Sequence, residues 1–153
     1  MRKAESKYVA RVPLFDRLTD LEPLVPMEPK PLRGLTRSQL LESIQRELSA
    51  LLNTRCPVPL SELQERQRSV VDYGLTDMMW AGPMAPEDRL VLQDTIEQTV
   101  AAFEPRLRNP RVTIGEYESA AGSLACTIEG DLHTETLREA VSFPVYIYNA
   151  KGR

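Results

Sequence analysis

With one histidine, two cysteines and seven glycines in 153 residues, the chain is poor in the side chains that bind metals, relay protons and cradle phosphates. His133 has no cysteine near it in sequence, so a Cys/His metal site cannot be assembled. A Ser-His-Asp or Cys-His relay would need that same imidazole, which is expected at the polar tip of a hairpin, a poor place for a pre-organised base. Cys56 and Cys126 form no Cys-x-x-Cys pair. No hydrophobic leader follows Met1-Arg2-Lys3-Ala4-Glu5-Ser6-Lys7, so the two read as reduced thiols of a cytoplasmic protein. The glycines form neither a Walker loop nor a dinucleotide fingerprint. No apolar run approaches the roughly 20 residues that span a bilayer. A net charge of -3 gives no general attraction to nucleic acid or to an anionic membrane. Nothing here calls for a cofactor.

Proline, by contrast, is plentiful and unevenly placed. Pro13, Pro23, Pro26, Pro29 and Pro31 fall within the first 35 residues, and the run from Glu22 to Pro31 can be neither helix nor central strand. Residues 1–35 therefore read as an extended, polyproline-like arm, and residues 36–153 as one α+β domain. Within the arm, Leu14, Phe15, Leu18 and Leu21 recur at helical spacing. A helix so short needs a surface to lie on, and the proline spacer favours the surface of another protein.

Two long helices follow from local signals. Thr36-Arg37-Ser38-Gln39 has the form of a capping box. Leu40, Leu41, Ile44, Leu48, Leu51 and Leu52 then make one apolar stripe, with Glu42, Gln45, Arg46 and Glu47 facing away, until Asn53 and Cys56-Pro57 stop the helix. The second begins at Pro86, where proline suits the first turn and Glu87 and Asp88 complement the dipole, and runs to about Phe103. Between them, Ser61–Arg68 reads as a polar helical turn or a surface loop, and Ser69–Gly74 as a short strand or extended segment. Trp80 is expected to seal the edge of the core. Beyond the second helix the period changes to two. Val112 and Ile114 start a strand; Leu124, Cys126, Ile128 and Leu132 fill the inner face of another; Val141, Phe143, Val145 and Ile147 fill that of a third. The last two should form a long hairpin. Pro144 cannot donate to a ladder, which puts the final strand at a sheet edge or bulges it at that point; an edge carries unpaired backbone groups that can accept a strand from another chain. The expected fold is two main helices on a small, mostly antiparallel sheet of three to four strands.

Glu104-Pro105-Arg106 breaks a local rule. Pro105 ends the second helix and leaves Glu104, an anion, at the negative end of the helix dipole, a misplacement of about 0.3–1 kcal/mol if exposed. Arg106 is the obvious compensation. Glu104 could also be imagined as the acid of a glycoside hydrolase paired with Asp72 or Glu116, but such an acid needs an apolar pocket and Glu104 has arginines for neighbours.

The order and spacing of these features resemble a known family. Leu14-Phe15-Asp16-Arg17-Leu18, the capped Leu-rich helix, Val70-Val71-Asp72-Tyr73-Gly74-Leu75-Thr76-Asp77, the Pro-Glu-Asp helix leading into Glu104-Pro105-Arg106, and the terminal strands are together similar to the TssE subunits of type VI secretion baseplates. Those subunits are related to the T4 phage wedge protein that initiates the tail sheath. The resemblance spans about residues 11 to 149. It departs from the family at Asp72 and Thr76, where Asn and Pro are usual, and at the hairpin tip, which lacks the usual prolines. It implies a structural, non-enzymatic subunit in a cytoplasmic, membrane-docked baseplate. It further implies that Glu104, Pro105 and Arg106, with Leu14, Phe15 and Leu18 of the arm, dock on the wedge proteins TssF and TssG. Pro144, Tyr146 and Tyr148 of the hairpin would offer an edge to the sheath proteins TssB and TssC. The family's inherited "lysozyme-like" label makes a cell-wall muramidase the enzymatic alternative, and a stress-response anti-adaptor of the same fold family suggests a regulatory one.

Overall fold

The computed structural model describes residues 8–18, 34–76 and 85–148. The proline run, Leu21 and Trp80 lie outside the described residues, as does the side chain of Phe15.

Both long helices form where their caps and stops predict. In α2 (Arg37–Leu52) the Thr36 hydroxyl accepts from the Gln39 amide while the Gln39 side chain accepts from the Thr36 amide, so two otherwise orphaned donors are satisfied. In α4 (Pro86–Phe103) Ala85 gives no side-chain cap. The hydroxyls of Thr95 and Thr99 instead donate back to carbonyls four residues earlier, which lets two threonines lie buried within the helix. A short α3 (Leu60–Glu65) connects the two.

Strands β5 (Leu107–Glu118), β6 (Ser123–His133) and β7 (Arg138–Tyr148) form an antiparallel sheet in the order β5-β6-β7. One face carries Leu124, Cys126, Ile128, Leu132, Phe143, Val145 and Ile147 into a single core with Leu40, Ile44, Leu48 and Leu52 of α2 and Leu92, Ile96 and Val100 of α4. The alternation is what a sheet with one solvated face requires. β5 begins at Leu107, ahead of the Val112 and Ile114 that mark it in the sequence. A register shift between Arg108 and Arg111 absorbs Asn109, at φ 51°, together with Pro110, and hides the strand's period from the sequence.

The first segment is less detached than an arm. β1 (Ala10–Arg11) pairs antiparallel with β2 (Gly34–Leu35), Val12 and Leu35 enter the core, and the hydroxyls of Thr134 and Thr136 donate to the Val9 carbonyl. Both strands of this ribbon lie within residues 1–35, and Val12 and Leu35 pack them onto the domain that follows. α1 (Leu14–Leu18) follows β1.

Where a short strand or extended segment was expected at Ser69–Gly74, Val70–Asp72 forms a 3-10 turn. Asp72 draws the chain into it by accepting from the Ser69 amide and hydroxyl and from both terminal nitrogens of Arg66. Val70 and Val71 are left 88% and 72% exposed, against their apolar character. The chain then extends into β4 (Leu75–Thr76), which pairs in parallel with β3 (Arg55–Cys56).

Candidate functional site

The Glu104-Pro105-Arg106 turn joins α4 to β5. The Glu104 amide still closes the helix on Val100, the Leu107 amide donates to the Glu104 carbonyl, and Pro105 projects exposed between them. The Glu104 side chain folds back over the turn. One oxygen accepts from the backbone amide and Nε of Arg106, at 3.1 and 2.7 Å, and the other from Nη2. Glu104 is only 3% exposed. Arg106 is the compensation its position suggests.

The same Nη2 reaches Glu47 of α2 at 2.6 Å. Glu47 accepts from Ser43, Ser43 donates to Asp16 of α1 at 3.0 Å, and Arg46 holds the other Asp16 oxygen at 2.6 Å. A polar chain thus ties α1, α2 and the turn together, three carboxylates facing two guanidinium groups. Burial raises the Glu47 pKa, which Arg106 opposes and the charges of Glu104 and Asp16 reinforce. Burial works against the Arg106 charge, but the hydrogen bond and charge of Glu104, then the charges of Glu47 and Asp16, outweigh it and raise its pKa.

Glu104 and Arg106 hydrogen-bond each other and Arg106 also reaches Glu47, so the carboxylate is turned inward by the arginine two residues on. They act as a clamp; the surface of the turn is the Pro105 ring and the edge of Arg106. Nor does Glu104 present a free oxygen to a glycoside. Leu14 and Leu18, 66% and 72% exposed, sit on α1 with Asp16 pinned beneath them, so the clamp and this apolar pair belong to one region.

Pro144, Tyr146 and Tyr148 belong to another. They lie exposed on β7, an edge strand as Pro144 predicts, against Gln45 and Asn53. At 100° per residue, Ser43 and Glu47 flank one side of the buried stripe of α2 and Gln45 the other, so the helix separates the two regions. The carbonyls of Pro144 and Tyr146 accept from the side-chain amides of Gln45 and Asn53, and the Tyr148 amide donates to Asn53 Oδ1. The edge expected to be unpaired is therefore partly capped. Sequence reasoning left Gln45 and Glu47 as solvated residues. Their place flanking the apolar stripe was the one available signal.

His133 closes β6 half-buried, its amide donating to the Arg106 carbonyl. Its pKa is lowered by desolvation and then by Arg138 and Arg108. Among the described residues no cluster of His, Cys, Asp or Glu could hold a metal, and no helix is long and apolar enough to cross a membrane.

The sequence pattern of the family of baseplate wedge protein gp25 matches residues 38–136, from the first turn of α2 through the hairpin turn. The chain belongs to this family. As a gp25-family protein it is a structural subunit of a baseplate and acts with other baseplate components. Among solved structures, it is similar to a chain of the baseplate complex from the type VI secretion system, at 19% identity and a TM-score of 0.48, covering 73% of this chain and 97% of that one. It is also similar to a candidate tail lysozyme of Geobacter sulfurreducens, at 20% identity and a TM-score of 0.49, covering 76% and 99%. No curated protein matches it.

Proposed function

We propose that this gp25-family protein is the TssE-type wedge subunit of a type VI secretion baseplate, docking on TssF and TssG and initiating the TssB/TssC sheath. The observation that carries the reading is the wedge-family match, which contains the whole clamp except Asp16 and all of β6. The docking surface is the exposed pair Leu14 and Leu18 with the Pro105 ring. The clamp supports it by fixing α1 against α2 and the turn against both. Two leucines left 66% and 72% exposed on a five-residue helix bury little in their own domain. Burying each against a partner contributes about 1.5–3 kcal/mol. The machine's baseplate is assembled on the cytoplasmic side of a membrane, and this subunit enters it without inserting.

Co-expression with TssF and TssG tests the reading. Leu14→Asp with Leu18→Asp should fold normally and lose co-purification, whereas Leu90→Asp, on an exposed part of α4, should retain it. Retention of both wedge proteins by the double variant would overturn the docking surface. Failure of the unmodified protein to bind either one would overturn the assignment.

A further inference from the structure

The bulge near the start of β5 changes which side chains share the solvated face of the sheet. In an unbroken strand, residues three apart point to opposite faces, so Arg108 and Arg111 would be separated by the sheet. Arg108 instead lies opposite Asp131 and Arg111 opposite Glu129, three steps on β5 against two on β6. Asn109, at φ 51°, takes up the extra residue, and both arginines emerge exposed on the face away from the core. Asparagine is among the few residues that tolerate that left-handed backbone. Across β6, the exposed Arg138 of β7 lies opposite His133. The rows at His133, Asp131 and Glu129 therefore carry Arg138, Arg108 and Arg111, one arginine to each row.

Nearby carboxylates do not neutralise this ladder. Asp131, which faces Arg108, accepts from the side-chain amide of Asn109 at 3.0 Å, and Glu139 pairs with Arg37 of α2 at 2.8 Å. Among the described residues, Arg108, Arg111 and Arg138 make no ion pair. A shallow depression with Asn109, Asp131 and Ala140 at its middle runs along the rows, from His133 and Arg138 to Arg111 and Ser142. Desolvation, then the charges of Arg138 and Arg108, lowers the His133 pKa against the opposing charge of Asp131.

We infer that this face binds an acidic segment of a partner protein, extended along β6, whose carboxylates at alternate positions each meet one arginine of the ladder. Alternate residues of an extended chain point the same way about 6.4–6.8 Å apart, which is the repeat of the rows themselves. The planar fork of each guanidinium suits a carboxylate. Contact is through side chains on the face of the sheet and leaves the β7 edge uninvolved. Glu129 and Asp131, set among the arginines, disfavour a continuous polyanion such as a phosphate chain, whose charges cannot avoid them; spaced carboxylates can. The inference does not rest on the function proposed above, since the occupant is defined by the spacing of its charges.

A peptide alternating Glu and Ser is the probe, and a peptide of the same composition in separate Glu and Ser blocks is its control. NMR titration of the full chain suits the weak binding that exposed ion pairs give. At about 0.15 M salt, charges farther apart than about 8 Å are screened, so local pairs dominate. The alternating peptide should bind more tightly than the block peptide. Arg108→Gln, Arg111→Gln and Arg138→Gln should each weaken it about two- to fivefold, the usual loss for an exposed ion pair, while Arg17→Gln on α1 should leave it unchanged. Glu129→Gln should tighten it. His133 is the sole histidine, so its imidazole resonance reports on the site alone; bound carboxylates offset the arginine charges and should raise its pKa. Equal weakening by Arg17→Gln, no preference for the alternating peptide, or an unmoved His133 would overturn the inference. So would tighter binding of inorganic polyphosphate, which would make the face a polyanion site. Self-association that disappears in Arg108→Gln would make the occupant a second copy of this chain and overturn it equally.

Discussion

Arg106 meets Glu47 across 59 residues of sequence, at 2.6 Å, while holding Glu104 two residues away. The guanidinium is the only cation in this trio, so the three members are not equivalent. Arg106→Ala leaves Glu104 buried without a charge partner and should destabilise by about 3–5 kcal/mol. Glu47→Ala removes a carboxylate whose side chain is 41% exposed and should cost no more than about 1 kcal/mol. Urea denaturation of the two variants gives the ranking. Equal losses would mean that the clamp does not depend on the buried member.

The turn at Val70–Asp72 should be acid-sensitive. The two-pronged hydrogen bond from Arg66, then the Ser69 amide, hold the Asp72 carboxyl well below the usual carboxylate range against the opposing effect of burial. A depressed pKa means that the unfolded chain takes up its proton first as pH falls. The stabilisation is complete above the ordinary carboxylate value of about 3.9 and is lost below it. Asp72→Asn should therefore flatten the pH dependence of unfolding below about pH 4. A variant with the parent's slope there would assign the acid sensitivity to other groups.

Gly74 should tolerate no side chain. Its φ is +115°, and a Cβ would lie 2.5 Å from the Thr54 carbonyl oxygen, a backbone atom that accepts from the Leu75 amide and cannot yield cheaply. Gly74→Ala should cost more than about 1 kcal/mol, measured as a lowered melting temperature. A neutral substitution would show that β3 and β4 separate easily.

Cys126 should be inert. Burial pushes its thiol up to about 12, only partly offset by Arg89, and the thiolate is the species that alkylating reagents attack. Iodoacetamide at pH 8 should leave Cys126 unmodified in the folded protein and label it in denaturant. Labelling under native conditions would mean that the inner face of the sheet opens.

Some of these features are visible in the chain and some are not, for a consistent reason. Val70 and Val71 read as strand because apolar β-branched residues ordinarily do, but the carboxylate of Asp72 outweighs that preference by gathering Ser69 and Arg66 around a tight turn. β5 lost its beginning to a bulge that a period of two cannot register.

What the amino-acid order determined alone is whatever depends on neighbours a few positions away. The Thr36 cap, the stops at Asn53 and Pro105, the inward alternation of β6 and β7, and the edge position of the strand bearing Pro144 all belong to that class. Tertiary structure decided what the polar side chains do. Glu47, Gln45 and Asn53 find partners 59, 99 and 93 residues away. A polar residue beside an apolar stripe has no period that says which flank it borders or what lies opposite. Only when α2 packs between the turn and β7 does one flank join the clamp and the other cap the β7 edge.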